Sequence, residues 1–300
     1  MAELTRTGPV PVPNRKPRDD EIDVFGLTHT GHLRKQNQDH FMLATIHRRV
    51  NVVLTSLDDR MRLPLGDERL AFIAMIADGV GGTEGGGEAS ATTLEIAMKY
   101  VVSSMNCYYS ADSSESQFND ALQAAALRCH DEVVERAKRD PNHRKMATTL
   151  TLWMGVWPWY YLLQVGDSRY YLFRDGTLTQ VSRDQTVAQD LVDQGVFTPA
   201  TAERSNLAHV LSSAIGGSQT EPRVMRLQAD WQNVHLICSD GLTKHVTDSR
   251  IAQRLSAMTS AKQVCEDLLQ DALDGGGSDN ISIIVGRAMP KDEPAGGMHG

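Results

Sequence analysis

The sequence predicts an α+β domain in which antiparallel strands and paired amphipathic helices form separate layers. Short strand-like runs follow one another through tight turns between residues 148 and 173, a pattern that is typical of a meander. Helical patterns come in two pairs, over residues 88–105 with 117–139 and over 249–258 with 261–273. Because the helices do not alternate singly with strands, we do not expect a βαβ series.

Three continuous apolar runs predict strands that are buried on both faces, and each run adjoins an aspartate in a turn. The runs are Leu70–Ala77, followed by Asp78-Gly79; Val234–Cys238, followed by Ser239-Asp240-Gly241; and Ile281–Val285, preceded by Ser278-Asp279-Asn280. The sequence therefore places a carboxylate at the tip of each of three buried strands.

The helices are predicted from apolar residues that recur at the spacing of one helix face. In the first helix these include Leu94, Ala97 and Val101, and in the second they include Leu122. A serine-rich stretch at residues 110–116 predicts the loop between these two helices.

Composition describes a globular chain of 300 residues, of which 41% are hydrophobic and 23% charged. A formal net charge of −8 argues against a protein that binds nucleic acid through its phosphate backbone. The four cysteines form no CxxC pair, which favours reduced thiols in a cytoplasmic protein. Neither a membrane-spanning segment nor a coiled coil is expected, so a monomer is the default.

Residues 1–20 combine arginine, lysine and proline without the apolar segment of a signal peptide, which predicts a flexible leader. Residues 289–300 are expected to form a short polar tail. The predicted domain therefore spans residues 21–288.

The aspartates at the strand tips allow two interpretations. A single Asp-Gly after a strand is more often simple turn chemistry than a metal ligand. Three carboxylates at the ends of buried strands would repel one another unless a cation neutralised them, and aspartate oxygens suit Mg²⁺ and Mn²⁺. The glycine-rich residues 79–87 lack the Gly-Lys-Ser/Thr of a phosphate-binding P-loop, so a nucleotide cradle is disfavoured.

Five motifs occur in the order and approximate spacing of one known family. They are Arg34-Lys35-Gln36-Asn37-Gln38-Asp39, Ala77-Asp78-Gly79-Val80-Gly81-Gly82, Gly166-Asp167-Ser168-Arg169, Cys238-Ser239-Asp240-Gly241-Leu242 and Gly277-Ser278-Asp279-Asn280-Ile281. On these motifs, the chain from about Asp23 to Gly286 resembles the bacterial-type metal-dependent serine/threonine protein phosphatases (type 2C, PPM family).

This resemblance implies a four-layer α-β-β-α sandwich with two central, mainly antiparallel sheets and a metal cleft at one end. It implies two Mn²⁺ or Mg²⁺ ions, with Asp78 bridging them and the Gly79 carbonyl serving one of them. Asp240 and Asp279 would hold the other ion, and Asp167 matches a third, weaker metal site.

Arg34 matches the family's phosphate-binding arginine, and its planar fork suits two phosphate oxygens. The implied reaction is hydrolysis of phosphoserine and phosphothreonine in proteins by a metal-activated bridging water, without a covalent enzyme intermediate. Arg34, Asp78 and Asp240 are then the implied catalytic residues. The sequence contains no GxSxG or cysteine-loop nucleophile motif. The implied partners are phosphorylated proteins, including a Ser/Thr kinase or its substrates.

The first motif departs from the family, which usually has Asn-Glu-Asp where this chain has Asn37-Gln38-Asp39. Gln38, Asp39 and Asn280 are expected to support the metals indirectly. Because Gln38 carries no charge, we expect weaker metal binding. This departure leaves open a weakly active or inactive pseudophosphatase that binds phosphopeptides. A phosphohydrolase acting on nucleotides or nucleic acid is disfavoured by the acidic balance.

Residues 181–216 are expected to form a flap over the cleft that sets substrate choice. Val80 occupies the position of a histidine suggested as general acid in eukaryotic members, so the group that protonates the leaving oxygen is unassigned. Four histidines lie near the motifs in sequence, although a lone histidine is more often a surface or core residue. They are His29, His32, His40 and His245.

Overall fold

The computed structural model describes residues 14–54, 56, 67–80, 85–104, 115–139 and 146–291. Within these residues, two five-stranded sheets face each other and a two-stranded ribbon, β4 with β5, adjoins them. The strands are β1 (Ile22–His29), β2 (His40–Arg48), β3 (Glu68–Ala77), β4 (Gly79–Val80), β5 (Ala147–Thr148), β6 (Leu150–Val156), β7 (Trp159–Val165), β8 (Arg169–Arg174), β9 (Thr177–Gln180), β10 (Arg223–Gln228), β11 (Val234–Cys238) and β12 (Ile281–Ala288).

Sheet 1 has the strand order β1-β12-β11-β8-β9, and sheet 2 has the order β10-β7-β6-β3-β2. Every pair of neighbouring strands is antiparallel. The helices are α1 (Gly85–Ser103), α2 (Glu115–Arg139), α3 (Val187–Asp193), α4 (Pro199–Glu203), α5 (Asp240–Thr243), α6 (Asp248–Ser256) and α7 (Ala261–Asp274), with a short 3₁₀ turn at Asp19–Glu21. In the described part of the chain, no helix has the length and apolar character needed to cross a membrane.

Three apolar cores separate four layers. Helices α1 and α2 cover sheet 2 over a core that includes Leu122 and Leu152. Helices α6 and α7 cover sheet 1 over a core that includes Leu268. Ile76 and Ile284 belong to the third core, which lies between the two sheets. The order helix, sheet, sheet, helix confirms the predicted α+β four-layer sandwich.

Strand β3 shows why the buried strands appear as continuous apolar runs. Successive side chains of a strand point to opposite faces of its sheet. Ile73 and Met75 therefore pack towards the helices, whereas Ala74 and Ile76 pack towards the other sheet. Both faces are covered from Leu70 to Ala77, so no polar residue interrupts this part of the strand.

The predicted elements agree closely with the structure. The three apolar runs are β3, β11 and β12, and the four helical patterns are α1, α2, α6 and α7. Strands β1 and β2 were not predicted because most of their residues are only half-buried and their sequences lack a clear alternation. Most of the predicted loop at residues 110–116 lies outside the described residues.

Residues 14–20, the described part of the predicted leader, pack against the domain. The Arg15 guanidinium donates two hydrogen bonds of 2.7 Å to the Glu21 carboxylate, and the Arg15 carbonyl accepts one of 2.9 Å from the Trp231 indole. The proposed boundary at residue 20 thus falls within a packed segment. At the other end, the Met289 N–H donates to the Glu21 carbonyl at 2.7 Å. Residues 1–13 and 292–300 lie outside the described residues.

Candidate active site

Antiparallel pairing brings five aspartates to one end of the sandwich. Asp78 follows β3, and Asp39 precedes β2, the antiparallel neighbour of β3. Asp240 follows β11, whose antiparallel neighbours β8 and β12 begin just after Asp167 and Asp279. Because the end of one antiparallel strand adjoins the start of the next, carboxylates that are distant in sequence come together.

Four of these carboxylates, all except that of Asp39, line a cavity of about 210 Å³ between the ends of the two sheets. Its lining includes Arg34, Gln38, Asp78, Gly79, Val80, Thr149, Asp167, His209, Leu211, Asp240, Lys244, Asp279 and Asn280. A wider groove of about 790 Å³ shares Asp167, His209, Asp240 and Lys244 with the cavity. Helices α3 and α4, which lie within the predicted flap, form one wall of this groove.

The backbone of Asp78 is fixed by hydrogen bonds to the neighbouring chain. The Asp78 N–H donates to the Thr149 hydroxyl at 3.0 Å, and the Asp78 carbonyl accepts from the Thr149 N–H at 2.9 Å and the Thr148 hydroxyl at 2.7 Å. A Cβ atom added to Gly79 would lie 2.5 Å from the backbone of Gly86, so only glycine fits beside this aspartate.

Asn280 fastens the segment that carries Arg34 to the end of sheet 1. Its side-chain oxygen accepts from the Gln38 N–H at 2.9 Å, and its amide group donates to the carbonyls of Thr30 at 2.9 Å and Gln36 at 3.0 Å. Asn280 therefore positions the segment between residues 30 and 38.

Burial is the main reason why three of the carboxyl groups resist ionisation. It raises the pKa of Asp39 to about 6, although a hydrogen bond from Ser239 acts in the opposite direction. Burial, with the charge of Asp240, raises the pKa of Asp167 to about 8. Burial, together with the surrounding aspartates, places the pKa of Asp78 well above its ordinary value. Such groups ionise readily only when positive charge is brought to them.

Two cationic side chains hold Asp279. The Arg34 guanidinium forms a fork on it, with Nε 2.6 Å and Nη2 2.8 Å from the two carboxylate oxygens. The Lys244 ammonium lies 2.6 Å from Oδ2 of the same carboxylate. Burial acts to raise the pKa of Asp279, but the hydrogen bonds from Arg34 and Lys244 outweigh it and keep the pKa below the ordinary value. Asp279 therefore stays ionised.

The family of the chain follows from a comparison with known protein families. The model of the protein phosphatase 2C family matches residues 55–275, which is most of the chain. This chain belongs to the protein phosphatase 2C family. The match includes three of the five site aspartates, Asp78, Asp167 and Asp240.

Relatives and solved structures agree with this family. The serine/threonine protein phosphatase PstP of Mycobacterium tuberculosis is 31% identical over 222 residues, which cover 74% of this chain and 41% of PstP. The chain thus matches less than half the length of that relative. The crystal structure of M. tuberculosis PstP/Ppp has a TM-score of 0.70 at 26% identity, covering 90% of this chain and 99% of that one. A catalytic-domain structure of PstP in complex with two manganese ions has a TM-score of 0.67 at 26% identity, with coverages of 90% and 99%.

The carboxylates of this 2C-family chain have the chemistry of a divalent-cation site. Several aspartates converge, and Oδ1 of Asp240 is buried without a hydrogen-bond partner, which is costly for a carboxylate oxygen. Hard oxygen ligands of this kind fit Mg²⁺ or Mn²⁺. Among the described residues, however, no three His, Cys, Asp or Glu side chains are already arranged so that they could hold a metal ion. The donors are suitable, but they are not pre-arranged.

The structure brings together the residues that the sequence singled out. Arg34, Asp78, Gly79, Asp167, Asp240, Asp279, Gln38 and Asn280 all line the cavity. Asp39 lies behind the lining and is 2% exposed. Of the lining residues with titratable side chains, Lys244 and His209 were not predicted from the sequence. The signal for Lys244 was its spacing, because a residue four positions after Asp240 lies over it if that segment is helical.

The four histidines near the motifs do not line the cavity. His245 instead ties α5 to the turn before β12, since its Nε2 accepts from the Ser278 N–H at 2.9 Å. His40 contacts the Ser90 hydroxyl at 2.8 Å, and Nδ1 of His29 accepts from the Gly31 N–H at 2.9 Å. These contacts give the three histidines structural roles.

Proposed function

We propose that this chain is a metal-dependent protein phosphatase that hydrolyses phosphoserine and phosphothreonine. The observation that carries the proposal is the set of four carboxylates and one arginine around a single cavity at the end of the two sheets. The related proteins bear the names of serine/threonine phosphatases, which supports the same reaction. Nothing in these relatives supports the alternative of an inactive phosphopeptide-binding module.

The site residues divide into metal ligands, residues that support these ligands, and one phosphate-binding arginine. Asp78, the Gly79 carbonyl, Asp240 and Asp279 would hold two divalent cations, Mn²⁺ or Mg²⁺, and Asp167 would hold a third. When bound, such ions supply the positive charge that activates a water molecule and stabilises charge at phosphorus. Gln38, Asp39 and Asn280 would support these ligands from behind.

Arg34 would orient the phosphate group. Its side chain is 44% exposed at the mouth of the cavity, and its fork matches two phosphate oxygens as well as it matches the Asp279 carboxylate. A guanidinium has five N–H donors, so binding Asp279 leaves donors for a phosphate. The arginine can therefore hold a substrate beside the carboxylates.

Attack by water, rather than by a side chain, is supported by the cavity lining. Among the described residues of the lining, Thr149 carries the only hydroxyl and none carries a thiol. That hydroxyl accepts from the Asp78 N–H at 3.0 Å and contacts the Ser168 hydroxyl at 2.8 Å. Because Thr149 is engaged in the framework, it is a poor nucleophile.

The groove beside the cavity suits a protein substrate. Its volume of about 790 Å³ accommodates a segment of polypeptide on either side of a phosphorylated residue. We infer that the substrates are phosphorylated proteins, including a Ser/Thr kinase or its targets, and that nucleic acid is not a substrate. A monomeric cytoplasmic enzyme remains part of the proposal.

The decisive experiment measures phosphate release from a phosphothreonine peptide. We expect release with Mn²⁺, loss of release in EDTA, and loss in Asp240→Asn. Asp131→Asn, which removes an exposed aspartate on α2, is the matched control and should keep full activity. Release that persists in EDTA would exclude the metal mechanism. Peptide binding without release in any divalent cation would exclude the enzyme.

A further inference from the structure

Lys244 lies inside the candidate metal site, one helical turn after Asp240. Ser239 precedes the first turn of α5, and the Lys244 N–H donates to the Asp240 carbonyl at 2.9 Å. This turn places the lysine side chain over the aspartate side chain. The Lys244 ammonium lies 2.6 Å from Oδ2 of Asp240 and 2.6 Å from Oδ2 of Asp279. One ammonium therefore bridges two carboxylates that come from different segments.

This bridge is well shielded from solvent. The side chain of Lys244 is 22% exposed, and those of Asp240 and Asp279 are 19% and 15% exposed. Charges in such a setting attract one another more strongly than charges at a surface. Despite its burial, the two carboxylates raise the pKa of Lys244, so the ammonium stays charged.

The contacts of Lys244 explain how Asp240 and Asp279 are partnered in the metal-free protein. Asp240 presents one oxygen to Lys244 while its other oxygen is buried without a partner. The described His, Cys, Asp and Glu side chains are not arranged so that they could hold a metal ion. The bridging position between Asp240 and Asp279 is instead taken by an ammonium group.

We propose that Lys244 is a built-in counter-ion that competes with the divalent cation for Asp240 and Asp279. The inference rests on the proposed function, in which these two aspartates hold a metal. In the metal-free protein, Lys244 neutralises the pair and stabilises the end of sheet 1. Metal binding requires the ammonium to leave both oxygens. Lys244 therefore raises the metal concentration at which the site fills.

The wide groove beside the cavity can receive the displaced ammonium. Lys244 also lines the wide groove, which holds the carboxylates of Asp184, Glu203 and Asp248. The lysine stem is long and flexible, so its head can turn into this groove without movement of the α5 backbone. Exchange of the ammonium for a metal ion therefore requires movement of the lysine side chain alone.

The first test titrates Mn²⁺ into the metal-free protein by calorimetry and measures thermal unfolding without metal. Lys244→Met removes the charge and keeps most of the stem. We expect the dissociation constant for Mn²⁺ to fall by about tenfold or more. We also expect the metal-free variant to melt at least about 3 °C lower, because two carboxylates lose a shared partner.

Lys262→Met is the matched control. Lys262 also faces an acid four residues later, Glu266 at 3.7 Å, but its side chain is 63% exposed and it does not line the cavity. This substitution should leave both the Mn²⁺ dissociation constant and the melting temperature unchanged.

The second test uses the unaltered protein and does not depend on whether a variant folds. Lysines are acetylated with a limiting amount of an N-hydroxysuccinimide ester, and the labelled sites are quantified by mass spectrometry. Without metal, Lys244 should react more slowly than Lys262. Saturating Mn²⁺ should increase labelling of Lys244 and leave that of Lys262 unchanged.

The outcomes separate this inference from the proposed function. If the unaltered protein binds Mn²⁺ but Lys244→Met binds it equally or more weakly, the counter-ion role is wrong and the metal site stands. Labelling of Lys244 that ignores Mn²⁺ also overturns the role. If the unaltered protein binds no Mn²⁺ at all, the proposed metal dependence itself fails.

Discussion

The hydroxyl of Ser239 donates a hydrogen bond of 2.7 Å to the carboxylate of Asp39, although the two residues adjoin strands of different sheets. Asp39 precedes β2 in sheet 2, and Ser239 follows β11 in sheet 1. The Ser282 N–H donates to the same hydroxyl at 2.9 Å, which directs the hydroxyl proton towards Asp39. This bond joins the sheets at the end where the site aspartates meet.

Ser239→Ala should therefore destabilise the protein. The substitution removes a hydrogen bond to a buried carboxyl group, which costs about 1–3 kcal/mol of unfolding free energy. Because this bond lowers the pKa of Asp39, its loss should raise that pKa further. Urea unfolding at pH 7 measures the first effect, with the exposed Ser256→Ala on α6 as the control. Equal unfolding free energies for the two variants would contradict the role of the bond.

The metal-free protein should lose stability as the pH rises from 7 to 9. The pKa of Asp167 is raised to about 8 in the folded protein, so unfolding releases its proton over this range. An acid whose pKa is higher in the folded than in the unfolded protein costs less free energy to bury while it is protonated. The free energy of unfolding therefore falls as the pH rises through the folded pKa. For Asp167 alone the loss is about 1–2 kcal/mol.

His235 does not contribute to the change in stability between pH 7 and 9. Burial lowers the pKa of His235 to about 3, and a histidine that stays neutral when folded destabilises the protein only below its ordinary pKa, near 6.5. Urea unfolding in EDTA at pH 7, 8 and 9 makes the measurement. Asp167→Asn should reduce the dependence of the unfolding free energy on pH. A rise in the stability of the unaltered protein from pH 7 to 9 would refute the prediction.

Gly79→Ala should disrupt the site, whereas Gly87→Ala should not. A Cβ atom at position 79 would lie 2.5 Å from the Gly86 backbone, while one at position 87 would meet only Gln38, at 3.8 Å. Overpacking against backbone costs about 1–3 kcal/mol or more. The helical position 87 should instead be neutral or gain up to about 1 kcal/mol. Thermal unfolding and Mn²⁺ binding of the two variants provide the comparison.

The sequence predicted the strand tips because a strand that is covered on both faces has an uninterrupted apolar run. Asp78, Asp240 and Asp279 could be found in this way, and the motif resemblance added Asp167 and Arg34. The bond between Ser239 and Asp39 could not be foreseen, since it depends on how two sheets face each other.

Lys244 was not predicted from the sequence for a different reason. The helix that places it over Asp240 is only four residues long and contains Gly241, which is a poor helix former. Its second partner, Asp279, lies 35 residues further along the chain. Short helices and pairs of this separation leave no periodic pattern in a sequence.

Gln38→Glu should strengthen metal binding. The Gln38 side chain lines the cavity beside Asp78 and Gly79 but carries no charge. A carboxylate there adds attraction for a divalent cation and repulsion among the existing aspartates. We therefore expect a dissociation constant for Mn²⁺ that is lower by several-fold, together with a lower melting temperature in EDTA. Calorimetry and thermal unfolding test the two effects, and an unchanged metal dependence would remove Gln38 from the site.

Arg34 should matter for its fork as well as for its charge. Nε and Nη2 contact the two oxygens of Asp279 at 2.6 and 2.8 Å, and the proposed phosphate would use the same paired geometry. Arg34→Met should lower kcat/KM for a phosphothreonine peptide by about 100-fold or more, which corresponds to loss of a charge-assisted contact in the transition state. Arg34→Lys should recover only part of this, because an ammonium is a single point of contact.

The exposed neighbour Lys35 provides the control for Arg34. Lys35→Met removes one positive charge from the same segment and should change kcat/KM by less than about threefold, since a surface charge acts mainly through long-range attraction that salt screens. Steady-state kinetics at low and high salt separates the two effects. Full activity of Arg34→Lys would show that the positive charge of Arg34 is sufficient and that its fork is not needed. A loss in Lys35→Met as large as that in Arg34→Met would show that general positive charge accounts for the effect on kcat/KM.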